Sequence, residues 1–172
     1  RYAIIAYQTA FFKVYYPREF IAATLTYESS DRDKVVQYIA EAPRIGVKIA
    51  APDINTCSSD FTVDGEQVRF GLAAVKGVGS KAVEAIVEAR KEVGEFTDLF
   101  HFCRSVDLHA VNRSTVEALI KCGAFDSTLS ADRAAMLAAL DMAMSAGQSA
   151  AADRRSGQIG LFEEDTSAQT TV

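Results

Sequence analysis

Apolar residues recur at helical spacing through residues 1–50, and this pattern predicts three helices. Residues 2–16 are apolar nearly all round, which is typical of a helix that packs on several sides. Pro17 opens the second helix at a position where its missing N–H costs little. Ser30 is predicted to cap the third helix, and Gly46 to end it. An aromatic set in the first helix is interpreted as core, with base stacking as the alternative: Tyr7, Phe11, Phe12, Tyr15 and Tyr16.

The next stretch has the pattern of short strands. Residues 47–51 form one strand candidate, which stops at Pro52. Residues 61–63 and 67–70 flank a turn centred on Gly65, and this arrangement is a hairpin signal. Strands this few do not make an independent sheet, so we expect them to connect two helical units.

A glycine-rich turn separates two helical patterns within residues 71–92. The turn reads Lys76-Gly77-Val78-Gly79-Ser80-Lys81. Its two glycines allow a tight reversal of the chain and leave room for an approaching ligand. Ser80 is predicted to cap the helix that follows. Free backbone N–H groups at such a helix start bind anions, which is how a helix-hairpin-helix module grips a nucleic-acid phosphate.

A second unit of the same kind is predicted over residues 112–146. Asn112 caps its first helix, which ends at Cys122-Gly123, and its second helix begins at about Ser130. The unit reads as a degenerate copy, because the Gly-Val-Gly of the first turn has become Gly-Ala-Phe. Lys121 and Gly123 are its candidate phosphate contacts, whereas Phe125 is expected in the core.

Three further segments complete the pattern. Thr97 is predicted to cap a helix over residues 98–105 that joins the two units. Residues 147–157 are small and polar and are interpreted as a linker. Residues 163–172 carry only acidic charge and are interpreted as a disordered tail.

Composition limits how this chain could bind a partner. The net charge of −5 over 172 residues argues against a blanket electrostatic nucleic-acid binder. Residues 71–125 carry seven Lys or Arg and seven Asp or Glu, so backbone amides and local lysines would have to do most of any DNA binding. Widely spaced cysteines argue against a disulfide framework or zinc site and favour a reducing, cytoplasmic setting.

No apolar run approaches the roughly 18 residues of a membrane span, so no membrane partner is expected. The chain starts at Arg1, inside a helical pattern, from which we expect a piece of a longer protein.

Three stretches together resemble the C family of bacterial replicative DNA polymerases, the polymerase III alpha subunits. They are AYQTAFFKVYYPREFIAATLT, RFGLAAVKGVGSKAVEAIVEAR and FTDLFHFCRSVDLHAVNRSTVEALIKCGAFDS. The resemblance covers about residues 1–145 in order and with similar spacing, which makes it more specific than any single motif.

The resemblance implies a mainly α fold with a small β-hairpin: a helical fingers segment followed by a tandem helix-hairpin-helix domain. Residues 1–50 would end the fingers region, and residues 51–70 would be a β-hairpin connector. Residues 71–146 would contact the backbone of duplex DNA that leaves the active site. Residues 147–172 would hold the family's internal clamp-binding peptide, of the form Gln-x-x-Leu/Met-Phe.

That peptide matches Gln158, Leu161 and Phe162, although Gly160 departs from the commoner polar residue. The partners implied are double-stranded DNA, the sliding clamp and the remainder of the alpha subunit, in the bacterial cytoplasm at the nucleoid. The family's catalytic aspartates and divalent metals belong to a palm that lies upstream. We therefore expect no catalysis and no cofactor in this chain, except for the monovalent cation that such hairpins often use, here at Gly77 and Gly79.

Two other functions are compatible with the sequence. DNA glycosylases share the hairpin, but their catalytic Asp follows a Gly/Pro-rich stretch that residues 90–98 lack. A purely structural domain, docking on the rest of the polymerase and on protein partners, is favoured by the balanced charge of residues 71–125.

Overall fold

A computed structural model describes residues 2–128 and 132–156 of the chain. The described part is mainly α-helical with one small sheet, as the sequence predicts. Single 3-10 turns lie at Ala42–Ile45 and Leu72–Ala74. The α-helices are α1 (Tyr2–Tyr15), α2 (Pro17–Tyr27), α3 (Arg32–Glu41), α4 (Ser80–Val93), α5 (Leu99–Ser105), α6 (Arg113–Cys122) and α7 (Arg133–Ser156), and the strands are β1 (Lys48–Ile49), β2 (Thr62–Asp64) and β3 (Gln67–Arg69).

The sheet contains the predicted hairpin. Strands β2 and β3 pair antiparallel with Val63 opposite Val68, and Gly65 turns between them with a φ of +55°. Strand β1, predicted from residues 47–51, adds to the other side of β3 in parallel, with Lys48 opposite Gln67. The sheet order is therefore β1-β3-β2.

Two hydrophobic clusters form the core. The first lies between α2, α3 and the sheet, and Ile21, Leu25 and Val68 are at most 1% exposed within it. The second lies among α4, α5, α6 and α7. Phe70, at the end of the hairpin, packs against both clusters. Phe70 thus links the two clusters through packing.

Aromatic rings organise the second cluster. Phe102 contacts Phe96 at 5.0 Å and Phe125 at 5.1 Å between ring centroids, both edge to face, which is a favourable geometry. Phe125 is 1% exposed, which confirms its prediction as core.

The prediction that the first helix is packed on several sides is wrong for this chain. Helix α1 forms, but it has no buried residue. Tyr7 is 71% exposed, Tyr15 is 67% exposed and Phe12 is 52% exposed. An all-round apolar pattern is typical of a helix with partners on several sides. In the described part of the chain, α1 packs mainly on α2, and Lys13 forms a salt bridge with Glu41 at 2.6 Å.

The linker predicted over residues 147–157 is also wrong within the described range. Helix α7 continues through residues 147–156 and packs along α5. Alanine is the strongest helix former, and the composition that reads as a linker is rich in it. Gly147 is buried, and a Cβ built there would lie 2.3 Å from the Cys103 carbonyl oxygen, so glycine here permits close helix packing.

Helix starts differ from prediction by single residues. Asp31, not Ser30, caps α3, and Asp98, not Thr97, caps α5. Both aspartates have the extended backbone of a cap residue, and a carboxylate accepts a backbone N–H more strongly than a hydroxyl does. Ser130, the predicted start of the last helix, lies outside the described residues, and Asp132 Oδ1 accepts the Ala135 N–H at 2.9 Å.

Candidate nucleic-acid interface

The turn of the first hairpin has one buried residue between two exposed glycines. Val78 is 6% exposed, and its N–H donates to the Val75 carbonyl at 3.1 Å. Gly77 has a φ of +88°, which favours glycine strongly. Gly79 has an ordinary φ of −87°, and a Cβ built there would meet no other atom within 4 Å. Gly77 therefore makes the reversal, while Gly79 leaves open space beside it.

Helix α4 begins in this turn. Gly79 is its N-cap residue, with an extended ψ of 158°, and no side chain caps it. The prediction of Ser80 as the cap is wrong, because Ser80 is already the first helical residue. In the described part of the chain the N–H groups of Gly79, Ser80 and Lys81 meet no acceptor. Three backbone donors and the positive end of a helix dipole thus lie together at an open surface.

Two lysines flank these donors. Lys76 and Lys81 are exposed, and neither forms an ion pair with a described residue. Their ammonium groups add positive charge on either side of the turn. This combination of amides and unpaired cations suits an anion such as a phosphate.

Helix α6 packs beside the turn. Asn112 caps it as predicted, and its Oδ1 accepts the Thr115 N–H at 3.0 Å. The Thr115 hydroxyl lies 3.3 Å from both the Gly77 carbonyl and Asn112 Oδ1, and it shares its one proton between these two acceptors. The Ala118 Cβ lies 3.7 Å from the place that a Gly77 Cβ would take. The Gly77 carbonyl, a candidate ligand of the monovalent cation, keeps one lone pair for such a contact.

Thr115 is a site residue that the sequence interpretation missed. It is 3% exposed and fixes the turn of the first hairpin to α6 of the second. The available signal was its position four residues before Leu119, on the apolar stripe of α6, where a polar residue needs a buried partner.

The second turn offers fewer free groups than the first. Gly123 is buried and left-handed with a φ of +85°, and its N–H donates to the Ile120 carbonyl at 3.1 Å. The Ala124 N–H donates to the Leu119 carbonyl at 3.0 Å, which completes a C-terminal cap. Gly123 therefore presents no unpaired backbone donor, and a phosphate contact here would depend on the exposed side chain of Lys121.

The cations of the second hairpin are paired. Lys121 Nζ lies 2.5 Å from Glu117 Oε1, and Arg113 contacts both Glu117 at 3.0 Å and Asp141 at 2.6 Å. The hydrogen bond and charge of Lys121, followed by those of Arg113, hold the pKa of the Glu117 carboxyl below its usual range.

Arg133 is also paired with a carboxylate. Its guanidinium contacts the Asp126 carboxylate through both Nε and Nη2, and this pair lowers the pKa of the Asp126 carboxyl. The Arg133 Nη1 also donates to the Lys121 carbonyl at 3.4 Å. The second turn is thus closed by its own ion pairs, whereas the first is not.

The loop after β1 supports the first hairpin, which the sequence interpretation did not foresee. Asn55 pairs with the backbone of Phe96 through both amide atoms, at 3.0 and 2.8 Å. Arg90 of α4 donates to the carbonyls of Ile54 and Cys57 at 3.0 and 2.9 Å. No local spacing signals such contacts, because the partners lie more than thirty residues apart in the sequence.

The predicted clamp-binding residues, a metal site and a membrane span were also compared with the described residues. Gln158, Leu161 and Phe162 lie outside the described residues. Within the described ranges, no group of three or more His, Cys, Asp or Glu side chains could hold a metal ion. None of the helices there is both long and apolar enough to cross a membrane.

The glycine-containing turns, the helix caps and the shared core are the features of a helix-hairpin-helix protein. Residues 46–136, more than half of the chain, match the family described as the helix-hairpin-helix motif. The chain belongs to the helix-hairpin-helix family.

Its relatives in this comparison are alpha subunits of DNA polymerase III. The chain is 41% identical to the DNA polymerase III subunit alpha of Pseudomonas aeruginosa, over 94% of this chain and 15% of that protein. The chain is 45% identical to the same subunit of Pasteurella multocida, over 94% of this chain and 14% of that protein. It is 42% identical to the same subunit of Thermus aquaticus, over 95% of this chain and 13% of that protein. These matches confirm the resemblance to the alpha subunit, of which the chain spans about a seventh of the length.

Proposed function

We propose that the first hairpin binds the backbone of duplex DNA without reading its sequence, as part of a polymerase III alpha subunit. Residues 71–146 would be the DNA-binding unit, residues 51–70 its connector and residues 1–50 the end of the fingers region. The proposal gives this chain no chemical step, because the resemblance puts the catalytic aspartates in another part of that polymerase.

One observation carries the proposal. The N–H groups of Gly79, Ser80 and Lys81 meet no acceptor in the described chain, at a place where Gly79 leaves open space and Lys76 adds an unpaired charge. Val78 holds the turn in the core, so the donors are fixed before a phosphate arrives. Preorganised donors bind an anion without an added ordering cost.

The test substitutes the open position itself. Gly79→Glu places a carboxylate where the phosphate would lie, and the fold should tolerate it because φ is ordinary and the space is empty. Hydrogen bonds to charged groups contribute about 1.5–3 kcal/mol, so we expect duplex affinity to fall by roughly tenfold or more. Fluorescence anisotropy of a labelled duplex, at about 50 and about 200 mM salt, measures the change.

Met142→Glu is the matched control. It adds the same charge at a residue of α7, outside the first hairpin, that is 65% exposed. Salt-sensitive binding by this control and the native chain, with loss only in Gly79→Glu, supports the hairpin site. Equal binding by all three proteins, or none by any, would instead favour a structural domain that docks on protein.

We also propose that Gln158, Leu161 and Phe162 bind the sliding clamp and so tether the polymerase to DNA. The support is the match to the clamp-binding form and its position just after Ser156, the last described residue of α7. A peptide this short is expected to bind weakly alone, with tethering supplying effective concentration.

Replacing the two apolar anchors tests the tether. Leu161→Ala with Phe162→Ala should abolish binding to an immobilised bacterial clamp, whereas Thr166→Ala with Ser167→Ala in the same tail should leave it unchanged. Clamp binding that survives loss of both anchors would rule this peptide out.

A further inference from the structure

The surface of α6 beside the first turn carries the carboxylate of Glu117, whose negative charge opposes the binding of a phosphate. Lys76 and Gly77 of the turn, together with Ser114, Glu117 and Lys121 of α6, line one groove. The Thr115 hydroxyl, bonded to the Gly77 carbonyl, holds the two walls together. The groove therefore places Glu117 and Lys121 beside Lys76 and Gly77, next to the donors of Gly79, Ser80 and Lys81 in the chain and not among them.

Glu117 occupies the centre of a chain of ion pairs on that wall. It contacts Lys121 at 2.5 Å on one side and Arg113 at 3.0 Å on the other. Its side chain is 31% exposed, whereas that of Lys121 is 61% exposed, so the ammonium can reach solvent if the carboxylate releases it. Exposed pairs four residues apart on a helix are weak, which makes such release feasible.

We propose that Glu117 limits the DNA affinity of this groove by neutralising Lys121, so that Lys121 contacts a phosphate only when the pair opens. This inference rests on the proposed function of the first hairpin. The paired lysine is one physical difference between the two hairpins, since Lys76 and Lys81 form no ion pair with a described residue. A groove held weak in this way suits a protein that must move along its DNA, because electrostatic backbone contacts permit sliding.

Removing the charge of Glu117 while keeping its shape tests the inference. Glu117→Gln should tighten duplex binding on the order of threefold to tenfold at about 50 mM salt, and one added phosphate contact should steepen the salt dependence by about 0.9. The 172-residue chain and a labelled duplex are used, with circular dichroism as the check on folding.

Glu88→Gln is the matched control. Glu88 is exposed on α4 and pairs with Lys91 at 3.3 Å, so this substitution removes the same charge and also releases a lysine. We expect it to leave the affinity nearly unchanged. An equal gain from both variants would overturn the inference, because it would show an effect of net charge alone.

Lys121→Gln supplies the second arm. Added to Glu117→Gln it should cancel the gain, whereas Lys91→Gln added to Glu117→Gln restores the same net charge and should keep it. If the native chain binds duplex through Gly79 but Glu117→Gln binds no tighter, the inference fails and the hairpin site stands. If neither the native chain nor Glu117→Gln binds at all, both proposals fail.

Discussion

Three consecutive residues of the first turn hold the backbone in the arrangement on which the DNA proposal depends. Gly77 supplies a φ of +88°, Val78 fills the core, and Gly79 starts α4 without a side chain in front of the amides. A side chain at the middle position and none at the outer two is the simplest way to fix donors and leave them uncovered. The pattern Gly-Val-Gly therefore keeps the backbone donors of the turn accessible to a ligand.

Asp98 is a residue whose contribution to stability we can predict with its pH dependence. Its partial burial raises the pKa, but hydrogen bonds from the His101 N–H at 2.9 Å and the Thr97 hydroxyl at 3.1 Å outweigh burial and lower the pKa of the Asp98 carboxyl. A lowered folded pKa stabilises the protein above the unfolded value of about 3.9. That stabilisation is lost as pH falls through the folded value.

We expect Asp98→Ala to lower the free energy of unfolding by about 1 kcal/mol at pH 7, because α5 loses its cap. Asp98→Asn keeps an acceptor and should cost less, and it should lose less stability than the native chain as the pH falls below about 4. Urea denaturation at neutral and acid pH measures both. An unchanged midpoint in Asp98→Ala at pH 7 would contradict the assigned cap.

At the scale of elements, the contact of α5 with α7 depends on one missing side chain. A Cβ at Gly147 would lie 2.3 Å from the Cys103 carbonyl oxygen and 2.9 Å from Leu108 Cδ1. Backbone cannot move aside as a flexible side chain can, so the helices would have to separate.

Gly147→Ala should therefore destabilise the protein by about 1–3 kcal/mol through overpacking, although alanine is the better helix former. Ser145→Ala, at an exposed position of the same helix, should be neutral or slightly stabilising. Chemical denaturation compares the two. A Gly147→Ala protein as stable as the native chain would show that α7 does not pack this closely.

The β-hairpin, the second helical unit and most other helices were predictable because their signals are local. The helix expected before the glycine-rich turn was wrong, since only the 3-10 turn Leu72–Ala74 precedes it. The strands around Gly65, the cap at Asn112 and the buried Phe125 follow from spacing and turn chemistry. The ion pairs around Glu117 and the bond from Thr115 to Gly77 were not, since they depend on which helices meet. Composition misled over residues 147–156, because small residues suit a linker and a closely packed helix equally.

At the scale of the whole molecule, charge and apolar surface are distributed unevenly. The chain is acidic overall, yet the first turn presents unpaired cations, so its attraction for DNA is local and short in range. At the other end, α1 presents a broad apolar surface to solvent. Its exposed large side chains are Tyr2, Ile4, Ile5, Tyr7, Phe11, Phe12, Val14 and Tyr15.

A monomer rarely leaves so large an apolar face uncovered, so we expect this chain to self-associate through α1 in a concentration-dependent way. Ile4→Glu with Tyr7→Glu, at residues 64% and 71% exposed, should shift it to monomer. Val36→Glu, on α3 and 66% exposed, should not. Light scattering after size-exclusion chromatography, over a range of loading concentrations, measures the molar mass of the native chain and of both variants. DNA binding should persist in all three proteins, because α1 contributes no residue to the cluster in which the hairpin packs. An association that survives both α1 substitutions would place the contact elsewhere.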